Sequence, residues 1–349
     1  MKKIINFLKR KPIVILLLIT ILIIALLVYS PKSLIKTPPF QTNQNLPFGS
    51  LPQPSINPFS NTPSPLSAVS QFKESFLPQS ISVYKLPSYS SQETINFFTP
   101  IAKEIGFTQT PENKIIDNKP YLLWKSDNGH FLADQQTGYF NFKTNLSQNS
   151  NNPPITKKDS LYIAQKWLER HRLVSSNTPS QIIPLVIYGQ TLEPAPETNQ
   201  PDAFKIDFSP TINKFPLFNT VNNESTIIIT IDTQGKIISG FYNPPAILIS
   251  SILQNKELIT ADYPIKTYQQ ITEDIKNGLL TITSIKQSDG QYLLSTIPLS
   301  NISYNKTELG YSTNPQSNYL IPIFKLTGTA KTQANQQVII EAYMPATNN

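Results

Sequence analysis

The side chains able to do chemistry are few and scattered. The chain of 349 residues has no cysteine and two histidines, His130 and His171. Composition therefore excludes disulfides, thiol nucleophiles, thiolate zinc sites and iron–sulfur clusters. A zinc centre built on histidine needs three or four ligands, and no HExxH or comparable spacing occurs. His130 sits beside a turn, and His171 stands between Arg170 and Arg172 near the end of an amphipathic stretch, where it suits a helix C-terminal dipole. Serine chemistry has no GxSxG. The two SxxK matches, Ser33 to Lys36 and Ser82 to Lys85, lack SDN and KTG partners. The first lies in a proline-rich stretch with no pocket to desolvate a lysine. In the second, a strand period of two sends Ser82 and Lys85 to opposite faces.

Paired carboxylates could serve glycoside hydrolysis. Glu273 and Asp274 are neighbours on a helical stretch and diverge by about 100°, as expected of a solvated face. Asp127, Asp134, Asp232 and Asp289 accompany turn or hairpin positions, where short polar side chains satisfy the backbone. None forms the alternating oxygen pattern of a calcium loop, and no glycine-rich phosphate loop is present. Trp124 and Trp167 lie on alternating or helical stripes, which favours core packing over a carbohydrate platform. The sequons at Asn145, Asn223, Asn301 and Asn305 matter only in a eukaryotic secretory pathway. No catalytic, cofactor-binding or metal-ligating residue is assigned, and no cofactor is expected.

The elements that must position any site begin with charge. The net charge is +7, but Lys2, Lys3, Lys9, Arg10 and Lys11 supply five of it, leaving about +2 for everything after them. No later stretch has the clustered basic face that phosphate binding needs, so no nucleic-acid partner is expected. Residues 12–30 are almost wholly apolar, with Ile13 to Tyr29 interrupted only by Thr20, and read as a transmembrane helix. The positive residues before it place a cytoplasmic tail at 1–11 and everything later outside the cell membrane. A cleaved secretory signal is the competing reading, but "VYSPKS" offers a poor cleavage site. From Pro31 to Leu66 the chain has nine prolines and reads as part of a proline-rich linker, 31–72, extended at about 3.1 Å per residue.

Three helical signals follow, each succeeded by strand-like runs. Ser90 with Glu93, Thr156 with Asp159, and Thr267 with Gln270 are capping boxes, and Gly106 and Gly278 are stops. The apolar periodicity after each cap predicts a helix. Pro100 should kink the first. The stretch "SNYLIPIFKLTGTAKTQANQQVIIEAYMPA", 317 to 346, has two short apolar runs about a polar middle. It reads as a hairpin, with Pro322 favouring an edge position or bulge. The pattern predicts an α+β fold: antiparallel sheets each covered by a helix, in modules over 73–150, 151–246 and 247–349.

At "YLIPIFKLTG" and "VIIEAYMPA", preceded by "ISYNKTELGY", and at "NKFPLFN" followed by "STIIITIDTQGKIISGFY", the chain resembles membrane-anchored bacterial accessory proteins of the YycH/YycI type, with PepSY-like modules. The likeness covers about residues 200 to 346 at motif level. It implies an α+β extracytoplasmic region and regulation of a sensor histidine kinase; its motifs are structural, and no binding residue is carried over. The proline-rich linker departs from that family's plan. The expectation is a non-enzymatic, single-pass membrane protein whose outer modules bind an envelope protein or cell-wall component through exposed strand edges. The alternatives are an envelope hydrolase or transferase using dispersed carboxylates, and a spacer displaying a domain.

Overall fold

The computed structural model describes residues 46–58 and most of 77–348, apart from short breaks at 88, 128, 146–153, 175–178, 189–190, 197–199, 222–224, 255–256, 288–291, 294–297 and 314–316. The chain divides into two compact units, 1–46 and 47–349. The tail expected at 1–11 and the membrane helix expected at 12–30 lie outside the described residues. Among the described residues, no helix is long and apolar enough to cross a membrane. The longest have 14 residues, about 21 Å at 1.5 Å per residue, against a hydrocarbon thickness of about 30 Å. The reading of the chain as a single-pass protein of the cell membrane is corrected accordingly.

In the larger unit, β1 (Ser80–Lys85) precedes α1 (Ser91–Glu104) and the strands β2 (Glu112–Ile116), β3 (Lys119–Ser126), β4 (Gly129–Asp134) and β5 (Phe140–Thr144). After α2 (Lys157–Arg170) come β6 (Pro179–Tyr188), β7 (Thr191–Pro194), β8 (Ala203–Phe208), β9 (Thr211–Ile212), β10 (Phe215–Phe218), β11 (Ile227–Asp232) and β12 (Ile237–Tyr242). The rest is α3 (Ala246–Leu253), β13 (Thr260–Pro264), α4 (Tyr268–Lys276), β14 (Thr281–Lys286), β15 (Leu299–Ser312), β16 (Tyr319–Thr332) and β17 (Gln337–Pro345). All three expected capping boxes form, at Ser90, Thr156 and Thr267, each satisfying donors that a helix N-terminus leaves unpaired.

Nine strands make one antiparallel sheet in the order β2-β3-β4-β5-β12-β11-β8-β6-β7. Its halves, each a helix followed by strands, join where β5 meets β12, with Phe140 opposite Tyr242 and Phe142 opposite Gly240. Both α1 and α2 cover the same face, burying Phe98, Trp124, Phe131, Trp167, Ile206 and Ile229 in one core. The Phe140 and Tyr242 rings stack at 4.9 Å, and the Tyr242 hydroxyl donates to the Leu173 carbonyl. Among the described residues, the opposite face carries no helix.

The second sheet runs β13-β1-β16-β15-β10-β9, with β14 and β17 joining on the flank of β16. The hairpin expected at 317 to 346 forms, and β16 continues through the polar "GTAKT" because Gly328, Ala330 and Thr332 alternate inward. Pro322 is not on an edge. It lies where the partner of β16 changes from β1, opposite Tyr319 and Leu320, to β17, which begins opposite Ile323. Its missing N–H falls at this changeover and costs no ladder bond there. Ile271 and Ile275 of α4 pack with Tyr304, Phe324, Ile340 and Met344 in a second core.

The short helix α3 belongs to both cores. Ala246 and Ile247 pack with the nine-stranded sheet, Leu248 and Ile249 with the second. Part of the stretch read as a free tether is also docked. The Tyr263 hydroxyl accepts from the Phe48 N–H at 3.0 Å and donates to the Gly49 carbonyl at 2.9 Å. Thr220 donates to the Ser55 carbonyl at 2.8 Å, and Leu51 is buried.

The expected fold class, antiparallel sheets each covered by a helix, is corrected. Seventeen strands accompany four helices among the described residues, in two large sheets. The cause is long-range pairing: β5 closes onto β12, while β1, β9 and β10 leave their sequence neighbours to complete the second sheet.

Candidate functional site

The candidates among the described residues have local places in the fold. The Ser82 hydroxyl donates to Asp262 Oδ1 at 2.7 Å, and Lys85 is exposed at the strand end. Asp134 accepts from the N–H groups of Gln136 and Thr137, and Asp232 from those of Gln234 and Lys236, as turn carboxylates do. Asp289 and the Ser33 to Lys36 stretch lie outside the described residues. Trp124 and Trp167 are core residues. Asp274 pairs with Lys266 at 2.8 Å. No group of three or more His, Asp or Glu side chains that could hold a metal occurs among the described residues.

A cleft of about 730 Å³ opens where α1 and α2 end, lined in part by Tyr162, Ile163, Lys166, Trp167 and Lys236. Glu104, at the end of α1, meets two residues at the end of α2: Arg170, and His171, whose Nε2 donates to Oε2 at 2.8 Å. The His171 side chain is 10% exposed. Burial pushes its pKa below the ordinary value, against the pull of Glu104. Lys166 pairs with Glu169 at 2.8 Å. Both carboxylates of the cleft are thus matched by cations.

Two other surfaces bear on binding. The first is β2, paired among the described residues on one side only, to β3. All five of its residues are exposed, Ile115 at 71% and Ile116 at 40%. Asp117 and Asn118, both at positive φ, make the two-residue turn into β3, a turn that favours Asn and Asp. That dipeptide between "ENKII" and "KPYLLW" was the signal available in the sequence for this hairpin.

The second is the helix-free face of the nine-stranded sheet. Cross-strand register sets Lys125 opposite His130, His130 opposite Lys143, Lys143 opposite Ser239, Ser239 opposite Thr230, and Thr230 opposite Lys205. Four basic side chains far apart in sequence thus share one row. Beside it runs a groove of about 430 Å³, lined by Ile183, Leu185, Leu192, Ile228 and Ile238, with Lys143 and Lys205 among the polar members. A bulge in β12, between the pairs Thr230–Ser239 and Ile231–Ile237, lets the consecutive residues Ile238 and Ser239 both line the groove. Composition along the chain could not show the basic row, because only register assembles it.

No family model and no curated protein matches the chain. Among solved structures, it is similar to an uncharacterized protein from Eubacterium rectale ATCC 33656, at 10% identity over 76% of this chain and 82% of that one, with a TM-score of 0.42.

Proposed function

We propose that residues 47–349 form a non-enzymatic binding module that takes a segment of another protein onto the β2 edge of its nine-stranded sheet. The observation that carries this is β2 itself, which is exposed at every position and paired on one side. An open edge offers unpaired N–H and C=O groups to an added strand, and Ile115 and Ile116 add apolar contacts that a monomer gains nothing by exposing. Glu112 and Lys114, ion-paired at 3.0 Å, temper the edge against indiscriminate pairing. The resemblance to YycH/YycI-type proteins suggests a regulatory protein as the kind of partner.

A photo-crosslinking side chain placed at Ile115 should trap one discrete protein in cells producing the full chain. The same group at Leu279, 59% exposed in the connection between α4 and β14, should trap none. Ile116→Lys should suppress the adduct while the unfolding free energy stays within about 0.5 kcal/mol, as for most surface changes. Equal adducts at both positions, or none at 115, would reject the edge as the contact surface.

A further inference from the structure

The groove on the helix-free face is graded from end to end. It crosses β5, β12, β11, β8, β6 and β7, five inter-strand steps or about 24 Å at about 4.8 Å each. The β5 end is polar and cationic, with Lys143, Thr144 and Ser239, whereas the β6 and β7 end is apolar, with Ile183, Leu185, Leu192 and Pro194. No carboxylate lines it. Asp207, next along β8, lies 3.8 Å from Lys205, while Lys143 is exposed and makes no ion pair among the described residues. The volume of about 430 Å³ lies within the range of small-molecule sites, which combine apolar walls with a few placed polar groups.

We infer that this groove binds a free, single-chain amphiphile with an anionic head, such as a long-chain carboxylate. The head sits at Lys143, where Ser239 offers a hydroxyl group, and the alkyl tail lies over Ile238, Ile228 and Leu185 toward Leu192. The lysine supplies a charge-assisted contact to the carboxylate, and the apolar walls remove the tail from water. This site is separate from the β2 edge, so either reading can fail without the other.

The probe is dodecanoate carrying a photoreactive group near its tail end, offered to the full chain below its micellar concentration. Labelling should concentrate on peptides spanning 183–185 and 203–208, and plain dodecanoate should compete for it. Dodecyltrimethylammonium should compete at least tenfold less well. Lys143→Glu should weaken labelling at least tenfold with thermal unfolding unchanged, since that side chain is exposed. Lys125→Glu, in the same basic row but outside the groove, should leave labelling unaltered. Label spread over the whole chain, equal competition by the cationic surfactant, or indifference to Lys143→Glu would each overturn the inference. So would capture of an acidic peptide, or of anionic two-tailed phospholipid vesicles, without capture of dodecanoate.

Discussion

Two contacts show how much single residues decide. A Cβ at Gly240 would stand 2.2 Å from Cε1 and 2.6 Å from Cζ of Phe142, a buried ring that closes the seam between β5 and β12. Gly240→Ala forces that ring or the seam to shift, and overpacking of this kind costs about 1–3 kcal/mol. Urea denaturation should show a loss of that size. At the helix ends, burial lowers the pKa of His171 while Glu104 pulls it back up. Between the folded value and the ordinary value of about 6.5, the unfolded chain binds more protons, so this group's contribution makes stability rise with pH in that window and level off above it. The urea midpoint should therefore fall as pH drops below about 6.5. Glu104→Gln removes the group that favours the charged ring, and its decline should be steeper. Midpoints between pH 7.5 and 5 that run parallel in the two proteins would show that Glu104 does not govern the imidazole.

At the scale of elements, α3 carries a load out of proportion to its eight residues. Its stretch "AILISSIL" has apolar residues without one-sided periodicity, the mark of a helix enclosed on all sides. Leu248 is 1% exposed in the second core, directly after Ile247 in the first. Leu248→Ala should cost about 2–5 kcal/mol, the range for a buried leucine that leaves a cavity. Because the helix serves both cores, the loss should appear equally in amide exchange from β11 and from β16. Loss confined to β16 would mean that α3 does not couple the sheets.

For the larger unit as a whole, coupling follows from the path of the chain. Between β8 and β11, both in the nine-stranded sheet, the chain crosses to the second sheet, where β10 pairs in parallel with β15, Leu217 opposite Tyr311. Neither sheet can lose its strands without loosening the other. Thermal unfolding should therefore give one transition, coincident whether followed by the buried tryptophans, which report the first core, or by labels on β16. Two separated transitions would show independent sheets, since cooperative unfolding requires coincident probes.

Local physics made the helix starts legible. A capping box is closed within four residues, so Ser90, Thr156 and Thr267 could be read without knowing the fold. Two short apolar runs about a polar middle likewise marked β16 and β17 as a hairpin. The same reasoning placed Asp134 and Asp232 in turns. Which strands became neighbours was another matter. Pairing depends on register between segments as distant as Phe140 and Tyr242, or Tyr84 and Leu320, and no local propensity encodes it. For that reason the helix-per-sheet modules and the edge role of Pro322 did not survive. The tertiary structure alone brought Lys125, His130, Lys143 and Lys205 into one row and, among the described residues, left that face without a helix and β2 as an open edge, because sheet order is a property of long-range contacts.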